Sequence, residues 1–411
     1  MAKIALMGHG VVGSGAAELV MKSAQALAKN AGTPSEIKYI LDLRDFPELS
    51  YSDKFIKDFD IILGDPEVSV VVEVMGGLHP AYDFVKASLQ AGKSVVTSNK
   101  ELVAAKGAEL LAIAAEKHVN FLFEASVGGG IPIIRPLHQC LGANEITEIA
   151  GILNGTTNFI LTKMIREGST FDAALAEAQR LGYAERNPAA DVEGMDACRK
   201  ICILASLAFG SHIYPDKVPT QGITQITPED VQYASDWGGV IKLLGRAKLG
   251  GDEKVQIAVS PCFISRESQL ASVDDVFNGI LVRGDATGDV VFYGKGAGKL
   301  PTASAVVADI IDVLKAQDTI ATLHWKDGDG SNLADPDAEE LESYLRVSGP
   351  NAAQAVQQAF GPCTELHRAD APAEEFACIL PAMAAALRRA KLEELEARGI
   401  AVLGSIVVAE V

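Results

Sequence analysis

No apolar stretch in this sequence reaches the roughly 18 residues that a membrane-crossing helix requires, so none is expected. Positive charge is in short supply: 36 Lys and Arg stand against 54 Asp and Glu, a formal net charge of -18. A field of that sign disfavours nucleic acid or an anionic membrane held through a broad basic surface, while leaving room for small anions in a local pocket. Cysteine is sparse as well. Cys140, Cys198, Cys202, Cys262, Cys363 and Cys378 include no CxxC pair and sit mostly in apolar contexts, which favours reduced core thiols over a disulfide framework or a zinc site. The first residues offer one lysine, the Lys3 that opens KIALMG, and then turn to glycine, unlike a signal peptide; the expected location is the cytoplasm.

What the chain does have is a globular balance, 48% hydrophobic and 22% charged over 411 residues, which suits two or three domains without a large disordered region. KIALM passes into Gly8-His9-Gly10-Val11-Val12-Gly13-Ser14-Gly15 and then AAELVMKSAQALAK at helical spacing. Strand, glycine turn and helix in that order predict a dinucleotide-binding unit with phosphates at the positive end of the helix. Gly8 permits the tight turn, Gly10 lets backbone approach a pyrophosphate, and Gly13 lets helix and strand pack closely; the cofactor set there is Gly8, Gly10, Val11, Val12 and Gly13. The next strand, IKYILDL, ends at Asp42-Leu43-Arg44-Asp45. An acid at this place suits the free ribose hydroxyls of NAD and an arginine the extra phosphate of NADP, and both residue types are present.

VSVVVEVMGG, from Val68 to Gly77, reads as a strand buried on both faces of a parallel sheet. PAYDFVKASLQAG follows as a helix, and KSVVTSNKELVAAKG as a strand leading into another. Thr97 and Lys100 then fall at the carboxyl end of a strand, where ligands of such sheets gather. NFLFEA is the last strand of this part before Gly128-Gly129-Gly130 and Pro132, a segment that bends sharply or brings its backbone close to something.

A different region begins with ILNGTTNFIL, a strand running into Asn154-Gly155-Thr156-Thr157-Asn158. These neutral groups suit an amino acid's carboxylate or ammonium, or equally the capped start of a helix. AQRLGYAERNPAADVEGMDACRK, Ala178 to Lys200, gathers Glu185, Asp191, Glu193, Asp196 and Lys200. If GMDACRKICILASLAFG is helical, Asp196 and Lys200 share a face, while Asn187-Pro188 puts Glu185 and Asp191 on a loop. Spacing alone leaves a solvated surface pair and a polar substrate site both open. From Val255 to Val282 strand-like alternation predicts a mixed sheet. GKGAGKLPTASAVVADIIDVLK is a glycine turn at Gly298 before a helix, HWKDGDGSNLADPDAEELE is polar and turn-rich, and the remainder parses as βαββαβ, a split-βαβ order.

Ala178, Gly182, Tyr183, Ala184, Asn187, Pro188, Asp191, Gly194, Asp196 and Lys200 resemble, position for position, the signature of homoserine dehydrogenases. The TSNK, NGTTN and GKGAGKLPTA segments resemble that family too. The resemblance implies an α/β architecture: a Rossmann-type dinucleotide-binding domain over 1–135 with a returning helix at 300–318, and an α+β substrate-binding and dimerisation domain over 136–299. A linker over 319–341 and a ferredoxin-like, ACT-like domain over 342–411 complete it.

The implied reaction is the reversible interconversion of L-homoserine and L-aspartate 4-semialdehyde, in threonine and methionine biosynthesis, with NADP or NAD as cofactor. By resemblance Lys200 moves the proton, Asp196 orients it, and Lys100 lies between nicotinamide and substrate. Glu185, Asp191, Asn154, Gly155 and Thr156 face the substrate; Arg44, Thr97, Lys100 and Gly298 join the cofactor set, and Arg44-Asp45 leans toward NADP. A monovalent cation such as Na+ is implied on the main-chain carbonyls of Glu124, Val127, Gly129 and Ile131, as are a homodimer or homotetramer and a threonine effector. The usual DxPG turn of an ACT domain is replaced here by Ser348-Gly349-Pro350-Asn351. Two rivals stand beside this reading. A semialdehyde dehydrogenase would need a nucleophilic cysteine in a glycine-rich turn, where none of the six sits. A nucleotide-sensing protein has no use for Lys100, Asp196 and Lys200 as a proton-handling set.

Overall fold

The apolar run at Val68 is one of six parallel strands that carry the first of two structural units. A computed structural model describes residues 1–316 and 323–411; one unit comprises Met1–Glu145, Cys202–Pro215 and Gly294–Asp329, the other Ile146–Ile201, Asp216–Tyr293 and Gly330–Val411. In the first, β1 (Ala2–Met7), β2 (Ser35–Leu41), β3 (Phe55–Ile56), β4 (Val68–Glu73), β5 (Ser94–Thr97) and β6 (Phe121–Leu122) stand in the order β3-β2-β1-β4-β5-β6. That is the doubly wound order of a Rossmann-type sheet, reversing between β1 and β4. Val70, Val71 and Val72 are all buried, as a strand covered on both faces demands.

Helix Lys299–Lys315 packs on this sheet's core through Ala303, Val306 and Ile310. It approaches helix Val11–Lys22 so closely that a Cβ on Gly15 would lie 2.9 Å from the Lys299 carbonyl oxygen. The helical stretch after the glycine turn breaks at Ser23 into Val11–Lys22 and Ala24–Ala31. The expected strand NFLFEA is shorter, with β6 ending at Leu122 and a single 3-10 turn at Glu124–Ser126. The cause lies far along the chain: the Glu124 N–H donates to the Asp309 carboxylate at 2.8 Å instead of extending a ladder.

The second unit is built on a mixed sheet of nine strands: β7 (Ile146–Ile152), β8 (Gly239–Leu249), β9 (Val255–Ser265), β10 (Phe277–Gly284), β11 (Gly288–Lys295), β12 (Glu340–Ser348), β13 (Thr364–Leu366), β14 (Glu375–Ala384) and β15 (Ala401–Val408). Their order is β11-β10-β7-β8-β9-β15-β12-β14-β13. The C-terminal strands therefore do not stand apart. β15 pairs in parallel with β9 through Val407 and Val408, continuing one sheet. Helices Ala352–Phe360 and Ala385–Ala397 complete the expected βαββαβ order. Met383 lies in β14, opposite Leu341.

Of the stretches expected as a returning helix to 318 and a linker from 319, residues 317–322 lie outside the described residues. Beyond them the polar stretch is pinned. Trp325 is buried and its indole N–H donates to His212 Nδ1 at 2.8 Å, while His212 Nε2 stands 2.8 Å from the Ala104 carbonyl oxygen. The Trp325 ring fills the space that a Cβ on Gly107 would need.

Candidate functional site

In the first unit the glycine turn is shaped as a dinucleotide cradle. Gly8 has φ +99°, and a Cβ on Gly13 would lie 2.0 Å from the Gly8 carbonyl oxygen. Gly10 ends the turn before helix Val11–Lys22 with open space where its Cβ would stand, so backbone and helix N-terminus are open to an anionic ligand. Val11 is exposed at the first helical position, and Val12 packs against the core. A mainly apolar cleft of about 530 Å³ opens here, lined among others by Gly8, Gly10, Asp42, Arg44, Lys57 and Met75. The residues present therefore fit a nicotinamide dinucleotide.

At the end of β2 the two residues that gave a mixed cofactor signal are engaged with each other. Arg44 reaches Asp42 with Nε at 2.9 Å and Nη2 at 2.8 Å, and Asp42 also receives the backbone N–H of His9 at 2.8 Å. The fork of hydrogen bonds from Arg44 holds the Asp42 carboxyl well below its ordinary range. Asp42 is thus a partner of protein donors, whereas Arg44 remains exposed and Lys57 adds a second cation to the cleft, itself paired with Asp45 at 2.7 Å. His9 is buried among Phe46, Tyr51 and Phe55, and burial lowers its pKa.

Thr97 ends β5, and Lys100 opens helix Lys100–Lys117, capped by the Asn99 side chain accepting from Leu102 N. Gly298 starts helix Lys299–Lys315 in a left-handed conformation, φ +127°. Of the four expected carbonyl ligands, Glu124, Val127 and Ile131 are buried, and Gly129 takes φ +56° with no room for a side chain, its Cβ falling 2.3 Å from the Gly296 carbonyl oxygen. The Glu124 carboxylate accepts the N–H groups of Ile133, Ile134 and Arg135 at 2.6, 2.9 and 2.8 Å. Among the described residues no cluster of three or more His, Cys, Asp or Glu forms a metal site.

The second unit holds a buried polar network. Helix Gly155–Glu167 is capped by Asn154, whose Oδ1 accepts from Thr157 N at 2.8 Å. The same side chain's Nδ2 donates to Asp191 Oδ1 at 2.8 Å and to Asp196 Oδ2 at 2.9 Å. The Asn154 side chain is thus both a helix cap and a donor to two carboxyl groups. Lys200 lies on helix Met195–Phe209, its Nζ 2.8 Å from Asp196 Oδ2 and 2.7 Å from the Leu153 carbonyl oxygen. Asp196 and Lys200 are 5% and 7% exposed, which excludes a solvated surface pair. Buried ions persist only when paired and hydrogen-bonded, as these are.

Three other expected substrate residues have different surroundings. The Thr156 hydroxyl donates to the Tyr183 carbonyl at 2.7 Å, tying the Gly-Tyr turn to helix Gly155–Glu167. Gly155 permits close packing, since a Cβ would stand 2.8 Å from the Val276 carbonyl oxygen. Glu185 is exposed on the turn, outside the Asn154 network, with its backbone carbonyl accepting from Gln179 Nε2 at 3.1 Å.

Sequence reasoning missed Glu73, Lys57 and the fully buried Lys242. Lys242 donates to the Val273 carbonyl, and Asn158 donates to the carbonyls of Val273, Asp275 and Phe277, bracing the helix that Asn154 caps. Burial lowers the Lys242 pKa. The only sequence signal was a single charge inside an otherwise apolar run, VVVEV for Glu73 and GVIKLLG for Lys242.

Comparison with known proteins places these features in one context. Residues 132–311 match the family model described as homoserine dehydrogenase, and residues 8–124 match that described as homoserine dehydrogenase, NAD binding domain. A homoserine dehydrogenase of Bacillus subtilis is 43% identical over 317 residues, 76% of this chain and 73% of the relative. The crystal structure of a homoserine dehydrogenase from Thiobacillus denitrificans superposes with a TM-score of 0.89 at 35% identity, covering 100% of this chain and 98% of that one. A mutant hyperthermophilic archaeal homoserine dehydrogenase in complex with NADPH gives a TM-score of 0.65 at 29% identity, over 76% of this chain and 97% of that one.

Proposed function

Since this chain belongs to the homoserine dehydrogenase family, we propose that its buried Asp196–Lys200 pair handles the proton in the reversible interconversion of L-homoserine and L-aspartate 4-semialdehyde. The observation that carries this reading is the network in which Asn154 joins Asp191 to Asp196 and Asp196 holds Lys200. A nicotinamide cofactor supplies the hydride acceptor for oxidation and the donor for reduction. Once it has given up its own proton to solvent, Lys200 takes the hydroxyl proton of homoserine during oxidation; during reduction its ammonium gives a proton to the aldehyde oxygen. Proton transfer by a positioned side chain is typically worth about 10²- to 10⁴-fold. Asp196 orients Lys200, and Asp191 accepts from the substrate's polar groups. Glu185, on the turn that Thr156 anchors, takes the substrate ammonium; Gly155 and Thr156 shape that side of the site, and Lys100 is a second cation for the reacting oxygen.

Gly8, Gly10, Val11, Val12 and Gly13 hold the cofactor's pyrophosphate, with Thr97, Lys100 and Gly298 completing the set. NADP is the preferred form, because Arg44 and Lys57 bring positive charge to the cleft while Asp42 is already engaged by Arg44. A monovalent cation, Na+, rests on the carbonyls of Glu124, Val127, Gly129 and Ile131, which fits a bend lacking a carboxylate cluster. The βαββαβ module over 342–411 is ACT-like and takes threonine as effector, although the turn after β12 departs from the usual DxPG. Gly349 and Asn351 there have φ +154° and +57°. The enzyme acts in the cytoplasm as a homodimer or homotetramer. Absorbance-monitored oxidation of L-homoserine, with NADP and NAD in parallel, with and without L-threonine and with Na+ or a large organic cation, tests the set. Equal rates under all conditions would contradict the NADP, effector and cation assignments together.

A further inference from the structure

Glu73 is the last residue of β4 and is completely buried, yet it is neither a cofactor ligand nor part of the proton-handling network described above. Its Oε1 accepts the N–H of Met75 at 2.8 Å and of Gly76 at 3.2 Å, and its Oε2 accepts the Thr97 hydroxyl at 2.6 Å. Thr97 Oγ1 in turn accepts the Asn99 N–H at 2.9 Å. Asn99 then closes a ring, donating to the Gly77 carbonyl at 2.6 Å while its Oδ1 caps Leu102 N at 3.1 Å. Thr97 and Asn99 are buried too, whereas Gly76 and Gly77 of the turn are exposed. Two pieces of backbone are thereby locked together: the turn Met75–Gly77, whose Gly76 and Gly77 take φ +79° and +73°, and the segment that delivers Lys100.

The first of these walls the dinucleotide cleft. Met75 lines it opposite the glycine turn, and a Cβ on Gly8 would lie 3.0 Å from Met75 Cγ. β4 is also the neighbour of β1 where the strand order reverses, the place at which such sheets bind their ligands. A carboxylate suits the position because every partner is a donor, and an ionised acid is an acceptor on both oxygens. A glutamine of the same shape offers one oxygen and turns an amide toward either Thr97 or the turn.

We propose that Glu73 is a positioning residue for hydride transfer, fixing the cofactor-facing wall at Met75–Gly77 and the placement of Lys100 in one rigid ring; this rests on the role assigned to Lys100 above. The test uses the full-length variants Glu73→Gln, Thr97→Val, the double variant Glu73→Gln/Thr97→Val, and Lys100→Met. Because misplacement by about 1 Å costs on the order of 10²-fold in rate, Glu73→Gln and Thr97→Val are each expected to lower kcat by about 10- to 100-fold, with KM for L-homoserine within about threefold. The double variant is no worse than the weaker single one. Amide hydrogen exchange, measured without substrate, accelerates at 75–77 and 99–102 in Glu73→Gln.

Unchanged kcat in Glu73→Gln and Thr97→Val, additive losses, or unchanged exchange would overturn the proposal. If Glu73→Gln does not fold, exchange in Thr97→Val without cofactor decides: acceleration at 75–77 is expected, and unchanged exchange overturns the proposal. Lys100→Met separates the two levels. Normal turnover there removes the Lys100 role and this proposal with it, whereas a dead Lys100→Met beside a normal Glu73→Gln refutes the Glu73 inference only.

Discussion

Lys200 Nζ lies 2.8 Å from Asp196 Oδ2, one helical turn away, and both side chains are almost fully buried. On an exposed helix such a pair contributes little. Here desolvation makes each charge dependent on the other, and the carboxylate is itself fixed by Asn154 Nδ2 at 2.9 Å. The amine proposed to exchange a proton is thus held in a defined place before substrate arrives, the arrangement that preorganised catalysis requires.

Asn154 performs two separable tasks, so substitutions there should separate stability from activity. Asn154→Ala loses the cap on helix Gly155–Glu167 and the donor shared by Asp191 and Asp196. It is expected to cost about 1 kcal/mol from the cap alone and to lower kcat by about 10²-fold as two carboxylates lose their common partner. Asn154→Ser, which restores a capping oxygen, should recover the melting temperature but not the rate. Calorimetry beside steady-state kinetics on both variants makes the comparison; recovery of both properties in Asn154→Ser would show that the amide donor is irrelevant.

Arg44 holds Asp42 and presents positive charge at the end of β2. Arg44→Ala should weaken NADP binding by at least about tenfold, the scale of losing one charge-assisted contact. NAD is affected far less, since Asp42 is released to accept from a ribose hydroxyl. Fluorescence titration with NADPH and NADH reads the ratio directly, and a parallel loss for both would assign Arg44 to general support of the turn.

Asp309 gives the fold a pH dependence of defined sign. Burial, reinforced by the charge of Glu124 and opposed by Arg135, raises its pKa from 3.8 to about 7. A carboxyl whose folded-state pKa is raised contributes stability that is complete below its unfolded pKa and is lost as pH rises through the folded one. The wild-type protein should therefore carry a component of stability that declines between pH 3.8 and about 7. Asp309→Asn should remove that slope, whatever it does to absolute stability by weakening the 2.9 Å contact with Arg135. Melting temperatures across this range for both proteins check it; identical slopes would mean that Asp309 titrates as an ordinary carboxyl.

Local patterns carried most of the architecture. The β-branched run at Val68–Val72, the glycine turn and the helix spacing around Asp196 each concern neighbouring residues, and each has its expected form. Features that depend on distant partners were not legible. β15 joins β9 across more than a hundred residues of sequence. Trp325, inside a polar stretch that composition marks as a linker, is buried by His212 and Gly107. β6 stops early because Asp309 captures the Glu124 N–H.

The candidate site follows the same rule. Asp196 and Lys200 were visible as a helical pair, but their burial and the bridging by Asn154 were not. Glu73 lay inside a strand expected to run from Val68 to Gly77, and its three donors come from a turn and from a neighbouring strand. Glu185, expected beside Asp191, stands exposed on a turn that the Thr156 hydroxyl fixes.

The most direct test of Lys200 as the proton-transferring group is the steady-state rate of L-homoserine oxidation by Lys200→Ala, measured beside NADPH affinity by fluorescence titration. Lys200 and the glycine cradle lie in different units, so the two readouts should part. A fall in kcat of at least about 10³-fold with NADPH affinity within about threefold of wild type is expected. Turnover close to wild type in a variant that binds NADPH normally would contradict the account.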